Sequence, residues 1–336
     1  MAGKKQMTSI ADLHKKHLLM KGDDPRLVIK YLSTGIGALD EITGGGIPRG
    51  RVSLAVGRES AGKTLICQYT AAETQRQGGT VALIDAEQAF DGDWWAGTGV
   101  NVSDLILSRP SNGEEAVDVA MALVGEVDLI LIDSMAALIP SAVMEQSAED
   151  NNVAGLSRVH KKLFDRIIAP LGLSKTAILA TNQFRVAIGN PDPSAVSFPG
   201  GEAQRFWSSL TMRVSKGGWI ETGGEKMGFK VGVYVMKNKT GRAYRSVTLP
   251  FTFDGLFDYV TVVVAEAIDK EIIQHSGAWY RFPSEWPVAI VPDAGYGLLP
   301  EAHRVQGLDK VHQIFAQNPE ALECLKAATY AKEEVA

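Results

Sequence analysis

The sequence predicts an α/β protein with a mainly parallel central sheet, and three observations predict it. Four apolar runs end in polar residues: RVSLAVG (51–57), TVALIDAE (80–87), VDLILID (127–133) and TAILATNQ (176–183). Helical stretches lie between them, among them TLICQYTAAETQRQ and GEEAVDVAMALVGE. A glycine-rich loop, GRESAGKT (57–64), joins the first run to the first of these helices. Continuous apolar runs suit strands buried on both faces, and strand–helix alternation marks a parallel sheet. Such strands deliver polar residues to one edge of the sheet.

In chain order, residues 1–34 form an N-terminal segment. Ile10, Leu13, Leu18 and Leu19 recur at near-helical spacing, and MKGDDPR ends the helix. The cations Lys4, Lys5, Lys15, Lys16, Lys21, Arg26 and Lys30 outnumber Asp12, Asp23 and Asp24. A one-sided apolar helix at a chain end suits docking on a neighbouring subunit, or folding back on its own domain. Residues 35–259 form the α/β core. Its later part, LTMRVSKGG and FKVGVYVMKNKTGRAYRSVTLPFTF, reads as antiparallel hairpins extending the sheet, with GGE and KTG as turns. Residues 260–336 read as a small α+β C-terminal domain: HSGAWYRF, the Pro- and Gly-containing WPVAIVPDAGYGLLP, then the helical QGLDKVHQIFAQNPEALECLKAATYAKEEV.

The 336 residues are 45% hydrophobic and 22% charged, as in ordinary soluble proteins. There is no apolar run of ~18 residues and no secretory signal at the N-terminus. Cys67 and Cys324 lack metal-ligand spacing and read as free thiols of a reducing compartment, so the cytoplasm is expected. A net charge of −5 does not advertise a nucleic-acid binder, but affinity for phosphates depends on where the cations sit.

GRESAGKT matches G-x-x-x-x-G-K-[ST] between a strand and a helix, the context that motif requires. Backbone N–H groups over Gly57, Arg58, Glu59, Ser60, Ala61 and Gly62 can turn inward on a phosphate, helped by the helix N-terminus. Lys63 would reach the β- and γ-phosphates, and the Thr64 hydroxyl would ligate Mg²⁺. Asp133, ending LILID, is the expected outer-sphere partner of Mg²⁺, on the strand beside the loop strand, or else a simple strand terminator. Glu87 closes LIDAE on the same edge, where it can orient and deprotonate water, or serve as a solvated acid. Asn182 and Gln183 close a further strand, where an amide can sense the γ-phosphate or merely cap the strand. Together these residues describe a Mg²⁺-dependent NTPase of P-loop type.

STGIGALDEITGGGIPRGRVSLAVGRESAGKT, LIDAEQAFD, DLILIDSMAALIP, TNQFRVAIGNP, PGGEAQRFW, VMKNKTG and SGAWY, in this order and spacing, resemble the RecA homologous-recombination proteins. The resemblance runs from about residue 31 to 283 and more weakly through both ends. It implies a RecA-type core with an N-terminal oligomerisation helix, ATP and Mg²⁺ as cofactors, and a DNA-dependent ATPase. The expected partners are single-stranded DNA, homologous double-stranded DNA and further copies of the chain in a helical filament.

Residue by residue, the resemblance makes Glu87 the catalytic glutamate and Gln183 the link from γ-phosphate to DNA loops. Asp91 and Trp94 would hold adenine. Lys237 and Lys239 would reach across the subunit interface to the neighbour's phosphates, and Phe206 would lie in that interface. DNA contacts would come from loops at residues 144–154 and 184–201, with Arg166, Arg185, Gly200 and Gly201 as matched contacts and Arg158 and Lys162 nearby. The chain departs from the family in the acidic first loop (Glu145, Glu149, Asp150) and in the prolines of the second (Pro191, Pro193, Pro199). It also lacks a long acidic tail, and this divergence fits a phage-encoded member. Two rivals remain at this point: a ring-forming ATPase motor of the same fold, and a regulatory paralogue that binds ATP without hydrolysing it.

Overall fold

The computed structural model describes residues 19–144, 153–186, 196–197, 199–201, 203–222, 224–253, 257, 259–283 and 304–330. Residues Met1–Lys30 and Tyr31–Ala336 are separate compact units. In the first, the helix expected around Ile10–Leu19 lies outside the described residues save for Leu19. What is described is a single 3₁₀ turn, Pro25–Leu27, capped by the Asp24 carboxylate, which accepts from Arg26 N at 2.9 Å.

The second unit opens with β1 (Tyr31–Leu32), α1 (Gly37–Thr43) and β2 (Ile47–Pro48), β1 and β2 pairing antiparallel. Then come β3 (Val52–Gly57), α2 (Lys63–Arg76), β4 (Val81–Asp85), α3 (Gly92–Gly97), β5 (Ile106–Ser108), α4 (Gly113–Leu123), β6 (Leu129–Asp133), α5 (Ser141–Met144), α6 (Val153–Leu173) and β7 (Ala177–Gln183). A short ladder, β8 (Arg185–Val186) with β9 (Val196–Ser197), stands at the base of the second loop, and α7 (Ala203–Trp207) follows. The sheet is completed by β10 (Leu210–Thr222), β11 (Glu225–Asn238) and β12 (Ser246–Thr252).

Eight strands form this sheet in the order β12-β11-β10-β3-β7-β6-β4-β5. From β10 to β5 every pairing is parallel, and β10-β11-β12 is an antiparallel meander. The apolar runs have a direct cause. Successive residues point to opposite faces of a strand, and here each face has its own core. Ala55, Leu83, Leu131 and Leu179 enter one cluster with α1 and α2. Leu54, Val56, Ile84, Ile130, Ile132 and Ile178 enter the other, with α4 and α6. A large apolar side chain contributes about 1.5–3 kcal/mol when fully buried, so these strands stay largely apolar up to the sheet edge.

Three sequence expectations shift. The strand that ends in Asp133, β6, is not beside the loop strand β3, because β7 pairs with both and lies between them. Glu87 does not close β4: the strand ends at Asp85, and Glu87 stands two residues beyond it, its N–H bonded to Asp133 O at 3.1 Å. The C-terminal helical stretch is two helices, α9 (Leu308–Gln317) and α10 (Pro319–Tyr330), because a residue before proline is disfavoured in helical conformation and Asn318 is extended there. They follow α8 (Tyr259–Asp269) and a three-stranded antiparallel sheet of β13 (Gln274–Ser276), β14 (Trp279–Arg281) and β15 (Arg304–Gln306). Val263, Val264, Phe282, Val311, Phe315 and Leu325 give this α+β region its own cluster. Lys270 ties it to α1 through Glu41 (2.5 Å) and also bonds the carbonyl of Thr329 in α10 (2.8 Å).

Candidate nucleotide site

The carboxyl ends of β3, β4, β6 and β7 meet on one edge. Gly57 lies opposite Gln183, and Asp85 opposite Asp133. Between Gly57 and α2 the chain turns through residues with positive φ, Ser60 at 54° and Gly62 at 96°. Gly62 is the N-cap of α2 and supplies no side-chain acceptor. By contrast, α3 is capped by Asp91 and α4 by Asn112. The first N–H groups of α2 therefore have no capping oxygen from the N-cap side chain, at the end where the helix dipole favours an anion. Arg58, Glu59 and Ser60 are exposed and Ala61 is buried beneath them. Lys63 curls over the loop, its Nζ donating to Arg58 O at 2.8 Å. Burial pulls the Lys63 ammonium below its usual range, and the negative charges of Asp133 and Glu87 oppose this. A bound triphosphate would replace the single carbonyl with charge.

Behind the loop, Thr64 Oγ1 donates to Asp133 Oδ2 at 2.9 Å, and Thr181 Oγ1 to Asp133 Oδ1 at 2.5 Å. Burial raises the Asp133 carboxyl, while the two hydroxyls favour its ionised form. An exchangeable hydroxyl beside a half-buried carboxylate is a hard-oxygen donor set, which fits Mg²⁺ held largely through water. Next along the chain, Ser134 Oγ donates to Glu87 Oε1 at 2.5 Å. The Glu87 loop is braced from below. Buried Asp85 accepts from Ala89 N (3.0 Å), Phe90 N (3.1 Å) and Arg109 Nε (3.1 Å). Ser134, Thr181 and Asp85 were not singled out in the sequence; adjacency to Asp133 is the one signal that could have found Ser134.

On the far side of that loop, Asp91 Oδ1 accepts from Trp94 N at 3.0 Å, starting α3. Gln68 of α2 is buried and offers its amide oxygen to Trp94 Nε1 (3.1 Å) and Trp95 Nε1 (3.2 Å). Trp95 is interior, whereas Trp94 is 43% exposed with its indole pinned. An aromatic surface held this way can stack on a base.

At the end of β7, Asn182 is buried and Gln183 exposed, so the two amides have different tasks. Lys237 and Lys239 converge on the end of α7. Lys237 Nζ donates to Arg205 O (2.6 Å) and Phe206 O (3.1 Å), and Lys239 Nζ to Phe206 O (3.1 Å). Burial first, then the charges of Lys239 and Arg205, pull Lys237 down to about 8. Phe206 is 69% exposed beside them and is not a core residue.

The strand register places these lysines far from the phosphate loop. Lys237 pairs with Thr211, which pairs with Leu54. Lys239 N bonds Ser209 O, and Ser209 N bonds Val52 O. Both lysines thus lie level with the amino half of β3, while the phosphate loop begins after its last residue, Gly57. Of the residues expected to meet nucleotide, the structure gathers Gly57–Thr64, Asp133, Glu87 and Gln183 at one edge and leaves Lys237 and Lys239 apart.

The residues expected to meet DNA also separate. Arg185 sits on the β8–β9 ladder opposite Ser197. Gly200 and Gly201, with φ of 87° and 78°, pack on the start of α6 at His160 and Ser157. Arg166 lies further along α6 and bonds Asp118 of α4 at 2.5 Å. Arg158 and Lys162 are exposed on α6. The first loop, apart from its ends, and residues 187–195 and 198 of the second lie outside the described residues.

A family model described as the RecA N-terminal domain matches residues 4–256. Among curated proteins the chain is 35% identical over 278 residues to Protein RecA of Latilactobacillus sakei subsp. sakei, covering 81% of this chain and 77% of that protein. It is 37% identical over 268 residues to Protein RecA of Herpetosiphon aurantiacus, covering 79% and 75%. It is 34% identical over 316 residues to Protein RecA of Halalkalibacterium halodurans, covering 92% and 84%.

Proposed function

The chain belongs to the RecA family, and from that premise we propose that it is a cytoplasmic, ATP-dependent DNA recombinase. It polymerises on single-stranded DNA as a helical filament and pairs that strand with homologous duplex. Binding the DNA backbone rather than the bases leaves sequence matching to base pairing.

The turnover assigned to the site is ATP hydrolysis. The loop N–H groups and Lys63 hold the β- and γ-phosphates. Thr64 and Asp133 would hold Mg²⁺, which neutralises charge on the phosphate oxygens. Glu87, positioned by Ser134, accepts a proton from water as the water oxygen bonds to the γ-phosphorus. The bond from that phosphorus to the β–γ bridging oxygen breaks, and ADP leaves. Gln183 donates its amide to a γ-phosphate oxygen, a hydrogen bond that ends when inorganic phosphate departs.

One observation carries this reading: the register that separates Lys237 and Lys239 from the phosphate loop of their own chain. Lys237 is crowded by the cations Lys239 and Arg205 and stands beside an exposed phenylalanine, a setting that suits the triphosphate of a neighbouring protomer. ATP then binds the stacked state preferentially and draws protomers into the filament. The test is ATPase with and without single-stranded DNA, beside a D-loop assay with ATP, a non-hydrolysable analogue and no nucleotide. DNA-stimulated hydrolysis and nucleotide-dependent joint molecules are expected. Unstimulated ATPase without joint molecules refutes the proposal, and closed rings in micrographs would favour the motor instead.

A further inference from the structure

We infer that Asn182, Gln204 and His160 are positioning residues that seat the carboxy-terminal hinge of the second loop, Pro199–Gly201, against the nucleotide site. The inference rests on the proposed function and deepens it, by naming the side chains through which nucleotide would change DNA affinity.

Three polar side chains, each without accessible surface, form the connection. Asn182 Oδ1 accepts from the backbone N–H of Gln183 at 2.8 Å. Its Nδ2 donates to Gln204 Oε1 at 2.6 Å and reaches Pro199 O at 3.5 Å. Gln204 Nε2 in turn donates to Pro199 O. Two amides therefore stitch the start of the second loop, at the end of β7, to its finish. On the other side of the hinge, His160 of α6 bonds Met135 O through Nε2 at 2.7 Å. A carbonyl only accepts, so Nε2 carries the proton. Met135 lies two residues beyond Asp133, so this bond ties the hinge support to the metal-side strand.

The hinge fits the ring closely. A Cβ built on Gly200 would stand 1.8 Å from His160 Nδ1, and positive φ at Gly200 disfavours a side chain in any case. Nδ1 is buried on the side of the ring that faces the backbone of Gly200.

Displacing Gln183 toward a γ-phosphate moves the N–H that Asn182 holds, and with it the amide pair and the hinge. Displacing the hinge by a bound strand sends the same change back. The two effects must be equal, because coupling between binding sites is reciprocal.

The experiment measures affinity of the full-length protein for a fluorescein-labelled oligothymidylate, with and without a non-hydrolysable ATP analogue. The ratio of the two affinities is the coupling. Gln204→Leu and Asn182→Ala are each expected to lower that ratio by ~5–10-fold, the usual scale of allosteric coupling, while analogue affinity without DNA stays within about twofold. The double variant should lose no more than either single one, since both break the same connection. In each protein, DNA must raise analogue affinity by the same factor.

If the wild-type ratio is one, the proposed recombinase function fails and this inference fails with it. If the wild type is coupled and folded Gln204→Leu keeps its full ratio, or the double variant loses the sum of both effects, the inference alone is overturned. Should Gln204→Leu fail to show a cooperative melt, His160→Phe decides: folded and still fully coupled, it overturns the inference; folded and uncoupled, it supports it.

Discussion

If each phosphate loop is completed by the lysines of the next protomer, two inactive variants should rescue one another. The first is Lys63→Ala, which spoils the loop but keeps Lys237 and Lys239. The second is Lys237→Ala with Lys239→Ala, which keeps the loop. The geometry sets the expectation. Lys237 is level with Leu54 and two strands from β3, since β10 intervenes. Three residues along the strand and two inter-strand steps place its Cα about 14 Å from that of Gly57. A lysine side chain spans about 6 Å at ordinary bond lengths, so it cannot serve its own loop. Each variant alone should lose at least ~1,000-fold in DNA-stimulated ATPase, the low end of what a cation at a phosphoryl-transfer site contributes. In an equimolar random mixture, roughly a quarter of head-to-tail contacts join an intact loop to an intact lysine pair. The mixture should therefore recover roughly a quarter of wild-type turnover, measured by phosphate release at saturating single-stranded DNA. No recovery above the sum of the separate variants, with both confirmed to co-assemble, would refute the reasoning.

Glu87→Gln should bind ATP and DNA yet hydrolyse ~10²–10⁴-fold more slowly, the usual loss on removing a general base; unchanged phosphate release would show the base lies elsewhere. Lys237 is lowered to about 8 by burial and its cationic neighbours, so before nucleotide binds it loses its proton as pH rises through that value. ATP-driven assembly followed by light scattering should therefore weaken between pH 7 and 9, and Lys237→Arg, which keeps its charge, should flatten the profile. The stability sign is opposite: the unfolded chain holds this proton more firmly, so the group's contribution to stability is lost below about 8 and regained as pH rises toward the unfolded value. Gly200→Ala forces a methyl into the His160 ring and into positive φ; overpacking of this kind costs ~1–3 kcal/mol, and a thermal melt at wild-type Tm would contradict it.

The parallel strands are legible in the sequence because each has a core on both sides. Ala55 faces α2 while Leu54 and Val56 face the opposite layer, so the run is apolar on both alternations. The phosphate loop is legible because its glycines and Lys63 are local. Gln204 was not, since an amide in AQRFW reads as a surface residue until Asn182, more than twenty positions upstream, is found bonded to it. His160 reads as one polar residue among the lysines of α6 until Gly200 closes over it. Ser134 and Thr181 acquire meaning only when β6 and β7 lie side by side.

The lysine pair is the hardest case, and the one with the largest consequence. MKNK says that two cations are near each other. Only the register of three strands says that they are remote from the loop they would serve. If the site is incomplete in one chain and complete in a stack, then nucleotide binding and assembly are one equilibrium. Nucleotide at 100 times its Kd for the assembled site stabilises each contact by ~2.7 kcal/mol. Hydrolysis withdraws most of that from one contact at a time, so turnover would loosen the filament locally rather than dissolve it.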